Sequence, residues 1–286
     1  MKNLNLIMVA LAGVVMAFSA CKKNDSGSEP EKETVTDICG NKYAVVKIGT
    51  QTWMAENLAC TKYDTESELA GGVIAEGDGK GSGFQPYYMD SRIKEKWTDK
   101  GKFADNISDE QIKKLGLLYN WAAAMGYATA EEAWKKEGIY EGNRQGICPN
   151  GWHLPSQVEW DLLEATVRDI CGDEKTGTEG KHLKSKTGWA SSEGITSDDA
   201  VNFCALPAGE SDGSQIICVG AYLQIWTSTA LTGKFQDEAY DDWFTFNSDD
   251  IVSFDSYKKN ARSVRCLKNS ETTSDPVQQG RHERLP

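Results

Sequence analysis

The segment Ile147–Trp160, with the sequence ICPNGWHLPSQVEW, carries the strongest local folding pattern in the chain. Pro155 biases the residue before it toward extended backbone. Ser156 is a favoured helix N-cap, and Glu159 three positions later completes a capping box. The segment therefore predicts a helix that begins after Ser156. The apolar positions predicted to turn this helix toward the core are Val158, Leu162, Leu163, Val167 and Ile170.

Strand patterns lie on both sides of this helix. Upstream, Tyr43–Ile48 and Gln51–Met54 are joined by a Gly-Thr turn and predict a hairpin. Downstream, short β-branched and aromatic runs predict further strands, at 202–206, 216–219, 224–227, 243–246, 251–254 and 262–266. Because runs of helix are followed by runs of strand, we expect an α+β fold.

A second main helix is predicted before this segment. Ser108 and Gln111 have capping-box spacing, and the apolar run Leu117–Met125 follows and ends at a glycine. Between the hairpin and this helix, residues 64–106 are glycine-rich, charged and weakly periodic. We interpret them as a long surface insertion.

The charge balance excludes one class of partner. The 286 residues contain 31 Lys and Arg against 43 Asp and Glu, a net charge of −12. Nucleic-acid binding needs clustered basic side chains, so we expect no nucleic-acid partner. Nine Trp, ten Tyr and eight Phe are enough large apolar side chains to build a substantial core.

The N-terminus has the pattern of an export signal. Lys2 precedes the apolar run Leu4–Phe18, which is too short to span a bilayer comfortably. Ser19-Ala20-Cys21 resembles a bacterial lipobox. We therefore expect residues 1–20 to be removed and Cys21 to be lipidated, so that the partner is the membrane and the location is the bacterial cell envelope, as an outer-membrane lipoprotein. The polar segment 21–34 is then a flexible tether, 35–268 the folded domain and 269–286 a disordered tail.

The other cysteines indicate an oxidising compartment. Their wide spacing without a CxxC motif favours structural disulfides over a zinc site. Seven thiols can form three bridges with one left over. Cys39–Cys60 is expected because these residues flank the hairpin, and Cys204–Cys218 with Cys171 free is one of several arrangements of the others.

Four stretches together resemble the Fibrobacter succinogenes major paralogous domain, in the family's order and over about residues 35–268. They are IGTQTWMAENL at 48–58, LLYNWAAAM at 117–125, ICPNGWHLPSQVEW at 147–160 and SVRCL at 263–267. The resemblance implies a C-type-lectin-like fold, with two main helices packed on a mixed or antiparallel sheet. It also implies a Cys148–Cys266 disulfide. Members are exported, usually lipid-anchored surface proteins without a defined activity.

The functional hypothesis is a non-catalytic surface module that binds a glycan or a protein. Its candidate ligand-binding residues are Trp189, in a loop-like context, and Trp243 with the adjacent Asp241 and Asp242. Carboxylates beside a tryptophan suit Ca²⁺, but the EPN, QPD and WND motifs of C-type lectins are absent. We therefore interpret the acidic residues as a solvated loop and expect no metal or cofactor. The tryptophans within the resembling motifs are expected in the core: Trp53, Trp121, Trp152, Trp160 and Trp226.

Two other functions stay open from the sequence. A structural or assembly subunit of a surface complex would show the same features. The GWHLPSQVEW segment also resembles formylglycine-generating oxidases, whose chemistry needs a close pair of reactive cysteines. Only Cys266 lies near the C-terminus, and the resemblance assigns it to a bridge. We therefore expect no enzymatic activity.

Overall fold

The computed structural model describes residues 33–77, 85–98, 102–136 and 144–270. The predicted signal peptide, the lipidation site Cys21 and the tail beyond residue 270 lie outside these residues. In chain order, the strands are β1 Thr34–Thr36, β2 Lys42–Ile48, β3 Gln51–Met54, β4 Ala75–Glu76, β5 Tyr87–Asp90, β6 Leu117–Asn120, β7 Trp152–His153, β8 Glu210–Ser211, β9 Ile216–Ile217, β10 Tyr222–Ala230, β11 Glu238–Thr245, β12 Ile251–Tyr257, β13 Ala261–Arg262 and β14 Leu267–Lys268. The α-helices are α1 Asp109–Ile112, α2 Trp121–Met125, α3 Ala130–Trp134, α4 Gln157–Cys171 and α5 Glu179–Leu183.

The strands form three sheets. A five-stranded sheet in the order β1-β2-β3-β14-β7 holds the first and last strands together and contains the predicted hairpin. A six-stranded sheet has the order β4-β5-β6-β13-β8-β9, and a three-stranded sheet has the order β10-β11-β12. Strands β4 and β5 are parallel, whereas the other paired strands are antiparallel. The predicted α+β class is confirmed; the six-stranded sheet is mixed and the other two sheets are antiparallel.

Helix α4 is the long helix of the described chain, and it begins after Ser156 as predicted. The Ser156 backbone N–H donates to Glu159 Oε2 at 2.7 Å, which forms part of the capping box. The predicted core face is partly wrong, because Val158, Leu162 and Ile170 are exposed. The buried stripe is instead centred on Trp160, whose ring lies 4.8 Å from that of Trp53, and it contains Trp160, Leu163 and Val167. No helix among the described residues has the length and hydropathy to cross a membrane.

The second predicted helix is only partly helical. Ser108 and Gln111 do form a capping box, but the helix that follows is the one-turn α1. Leu117–Asn120 forms strand β6, because it pairs with β5 and β13 and is buried throughout. Helix formation begins only at α2, where Asn120 Oδ1 accepts from the Ala123 N–H at 3.0 Å. Cross-strand pairing therefore overrides the helical apolar spacing of this run.

The predicted surface insertion at 64–106 contributes to the fold. Its segment Tyr87–Asp90 is strand β5, which pairs with β6. Tyr87, Met89 and Trp97 are buried, and Trp97 Nε1 donates to the Ser91 carbonyl at 2.9 Å. These buried residues were not predicted because the segment is charged and glycine-rich. Their spacing is also too irregular to show a helix or strand period.

Two of the expected disulfides are present. They join Cys39 to Cys60 and Cys148 to Cys266. The third expected pair, Cys204–Cys218, is wrong, because neither residue is in a disulfide. Both have left-handed backbone, at φ 56° and 58°, and the Cys204 carbonyl accepts from Arg265 at 2.8 Å. Cys171 is also not bridged.

Arg265, in the SVRCL stretch, ties the last part of the chain to the core. Its guanidinium is fully buried and donates to Asn57 Oδ1 at 2.9 Å, and also to the carbonyls of Phe203 and Cys204. Burial lowers the pKa of Arg265 to about 10. These acceptors fix the irregular loop that follows α5 against the β14 end of the five-stranded sheet.

Candidate ligand-binding face

An aromatic row crosses the three-stranded sheet β10-β11-β12. Its members are Tyr222 on β10, Trp243 on β11 and Phe254 on β12. The ring centroids of Tyr222 and Trp243 are 6.3 Å apart, and those of Trp243 and Phe254 are 4.7 Å apart. Phe254 is 45% exposed, and Tyr222 and Trp243 are half-buried. The antiparallel register places the three side chains on the same face of the sheet.

A buried ion pair fixes the orientation of Trp243. Trp243 Nε1 donates to Asp241 Oδ2 at 2.8 Å, and Arg262 Nε donates to the same oxygen at 2.9 Å. Ser256 Oγ lies 3.2 Å from it. Burial raises the pKa of Asp241, and the Arg262 charge opposes this shift. The indole therefore enters any complex with its orientation already set, which reduces the ordering cost of binding.

Polar groups lie at the edge of the aromatic row. Glu210 Oε2 is 3.4 Å from an Arg262 nitrogen, and the Glu210 side chain is 20% exposed. Burial raises the pKa of Tyr222, with smaller contributions from the charges of Cys218 and Glu210. The Glu210 carboxylate therefore belongs to the same ionic cluster as Arg262 and Asp241.

Asp242 does not join Asp241 in a solvated acidic loop. Both residues lie in β11 and are fully buried, and successive residues of a strand face opposite sides. Asp242 Oδ1 accepts from Ser253 Oγ at 2.6 Å and from Gln157 Nε2 at 3.2 Å. Burial raises the pKa of Asp242 to about 7. The predicted acidic loop is therefore wrong, and the two carboxylates are not placed to share one calcium ion.

Trp189 is buried rather than presented on a loop surface. It is 7% exposed, and its Nε1 donates to the Ala205 carbonyl at 3.0 Å. It lines a cavity of about 570 Å³, together with Lys184. Burial lowers the pKa of the Lys184 ammonium to about 8. The ammonium donates to the carbonyls of Thr245 at 3.1 Å and Ser248 at 2.6 Å.

Among the described residues, the one group with metal-ligand spacing is closed by a disulfide, and two unbridged thiols have raised pKa values. Asp37, Cys39 and Cys60 form the one group there with metal-ligand spacing, but both cysteines are in a disulfide. Burial raises the pKa of the Cys171 and Cys204 thiols. The thiolate is the reactive form, so these two environments disfavour nucleophilic or metal-binding chemistry.

The predicted site residues thus separate into three places. Trp243 and Asp241 meet at the aromatic row, Asp242 packs under α4, and Trp189 lines the cavity. Sequence reasoning missed Tyr222, Phe254, Arg262 and Lys184. The alternation of strands β10 and β12 contained a signal for the two rings, but the strand register that unites them with Trp243 is visible only in the fold. Lys184, a single lysine between α5 and a loop, belongs to no sequence pattern that marks a site residue.

These features define an α+β domain with an aromatic row on one of its sheets. The Fibrobacter succinogenes major domain matches residues 46–268, so the chain belongs to this family. The resemblance found in the sequence is confirmed. No curated protein and no solved structure matches the chain.

Proposed function

We propose that the protein is a non-catalytic glycan-binding module at the bacterial cell surface. The observation that carries this proposal is the aromatic row, in which Trp243 is fixed by Asp241 and flanked by two further rings. Aromatic rings offer flat apolar faces against which the C–H face of a sugar ring packs, and exposed apolar patches with polar rims mark interaction sites. Tyr222 and Glu210 supply hydrogen-bonding groups at the edge for sugar hydroxyls.

The same proposal includes a C-type-lectin-like arrangement of the domain. It is supported by the sheet that joins β1 to β14 through β2 and β3, and by the bridge from Cys148, before α4, to Cys266, the residue that precedes β14. In this arrangement the first and last strands of the domain belong to the same sheet. The aromatic row lies on a different sheet from the one that carries the ends.

The anchor is proposed from the lipobox-like Ser19-Ala20-Cys21 and the polar tether after it. Replacing Cys21 with alanine is expected to stop incorporation of a labelled fatty acid into the protein, because Cys21 carries the proposed lipid. Metabolic labelling followed by immunoprecipitation measures this. The matched control Cys171→Ala removes an unbridged cysteine of the folded domain and is expected to keep the label. Fatty-acid label in the Cys21→Ala protein contradicts the anchor.

The glycan-binding proposal predicts the behaviour of Trp243 on a glycan array. The wild-type protein is expected to bind one class of glycan, and Trp243→Ala to bind it at least about ten-fold more weakly, since central aromatic anchors dominate binding energy. The control is Phe235→Ala, which removes an aromatic ring that is 45% exposed but lies outside the three-stranded sheet. Circular dichroism confirms folding of both variants.

Two array results contradict the proposal. One is the absence of glycan binding by the wild-type protein, which would favour a protein ligand or an assembly role. The other is equal binding by the wild-type protein and Trp243→Ala, which would place the glycan site elsewhere.

A further inference from the structure

A second concave site lies between the loop after α5 and the end of β11. The cavity has a volume of about 570 Å³, within the usual range for small-molecule sites. None of the residues of the aromatic row lines it. It is therefore a separate site, which the proposed function leaves unused.

The charge of this cavity is opposite to that of the protein. The chain has a net charge of −12, yet the lining contains Lys184 and Lys186 and no carboxylate. Lys186 is exposed at the rim. Lys184 is buried with its Nζ 5.4 Å from the centre of the Trp189 ring, and two protein carbonyls take two of its three ammonium hydrogens. A positive, partly desolvated cavity of this kind favours an anionic ligand.

The rest of the lining is suited to a hydroxylated ligand. Trp189 and Phe246 contribute aromatic side chains to the lining, and Ser191, Ser192 and Thr196 contribute hydroxyl-bearing side chains. The Asn106 side chain stabilises this part of the lining, because its Nδ2 donates to the Trp189 carbonyl at 2.8 Å and to Ser191 Oγ at 3.3 Å. Aromatic faces with many hydroxyl groups match the apolar face and the hydroxyls of a sugar ring.

We infer that this cavity binds an acidic monosaccharide unit, with the sugar carboxylate directed to Lys184 and Lys186. The carboxylate would take the third ammonium hydrogen of Lys184 and the rim charge of Lys186. The sugar hydroxyls would exchange hydrogen bonds with the serine and threonine side chains of the wall. The inference does not depend on the aromatic row, which recognises a sugar by packing rather than by charge.

Calorimetric titration of the purified protein with galacturonate and with galactose tests the inference. Galacturonate is expected to bind at least about ten-fold more tightly than galactose, because a charge-assisted hydrogen bond is added. Lys186→Ala is expected to weaken galacturonate binding and leave galactose binding unchanged. Lys234→Ala, which removes an exposed lysine elsewhere, is the control for net charge. Lys184→Met is the stronger variant, and circular dichroism confirms whether it folds.

Four results overturn the inference, and three of them come from these titrations: no galacturonate binding, equal binding of the two sugars, or full galacturonate affinity in Lys186→Ala. The Trp243→Ala variant distinguishes binding in this cavity from binding on the aromatic row of the proposed function. It is expected to keep galacturonate affinity here, so loss of array binding with retained galacturonate binding points to two sites. Loss of galacturonate affinity in Trp243→Ala would assign the sugar to the aromatic row and overturn the inference.

Discussion

Replacing Cys148 and Cys266 together with alanine is expected to lower the free energy of unfolding by about 5 kcal/mol. The bridge closes a loop with a sequence separation of 118 residues, and a loop of that length gives a stabilisation of this size in the chain-entropy model. Both sulfurs are fully buried, so the alanine variant also loses core packing. Chemical denaturation under non-reducing conditions measures the change.

The matched control is the double alanine variant of Cys39 and Cys60. That bridge has a sequence separation of 21 residues, so the same model gives a smaller loss of about 3 kcal/mol. The order of the two losses is therefore fixed by loop length. Equal losses, or a larger loss from the short loop, would contradict the entropic account of the long bridge.

Asp242→Asn is expected to flatten the dependence of stability on pH. The pKa of Asp242 is raised from 3.8 to about 7 in the folded protein. Between these two values the folded protein holds a proton that the unfolded chain has released, so stability falls as pH rises through this window. The asparagine variant lacks this loss. It should match the wild-type protein near pH 4 and exceed it above pH 7 by up to about 4 kcal/mol, at about 1.4 kcal/mol per pH unit.

The measurement is urea denaturation of both proteins at a series of pH values. Asp169→Asn removes an exposed carboxylate from the same helix that covers Asp242 and is expected to run parallel to the wild-type protein. Glu164 on α4 adds an overlapping decline that extends to higher pH, because burial and then the Asp242 charge raise its pKa from 4.5 to about 8. A constant difference between Asp242→Asn and the wild-type protein at all pH values would show that Asp242 does not titrate on unfolding.

Local patterns predicted the elements whose cause is local. The capping residues Ser156 and Glu159 gave the start of α4, and the Gly-Thr turn gave the hairpin. Local patterns could not predict strand β6, because Leu117–Asn120 becomes a strand only by pairing with segments distant in sequence. The candidate site likewise has a part that local sequence predicts and a part that depends on the fold. Trp243 stood out by its type, but its partners Tyr222 and Phe254 depend on strand register.

The acidic residues of β11 show most clearly which features cannot be predicted from sequence patterns. Asp241 and Asp242 look solvated in a charged sequence context, and both are buried because β11 is the central strand of its sheet. Arg262, which neutralises Asp241, lies on a different sheet. Composition alone holds no information about such long-range pairing.

The most direct test of the proposed glycan-binding face follows the tryptophan indole signals by NMR. The protein has nine tryptophans and can be labelled with ¹⁵N at their indole nitrogens. It is titrated with the glycan that the wild-type protein binds on the array. The indole signal assigned with Trp243→Phe is expected to shift, while the signals of the core residues Trp53, Trp121, Trp160 and Trp226 stay in place. Saturating glycan with an unmoved Trp243 signal would contradict the account.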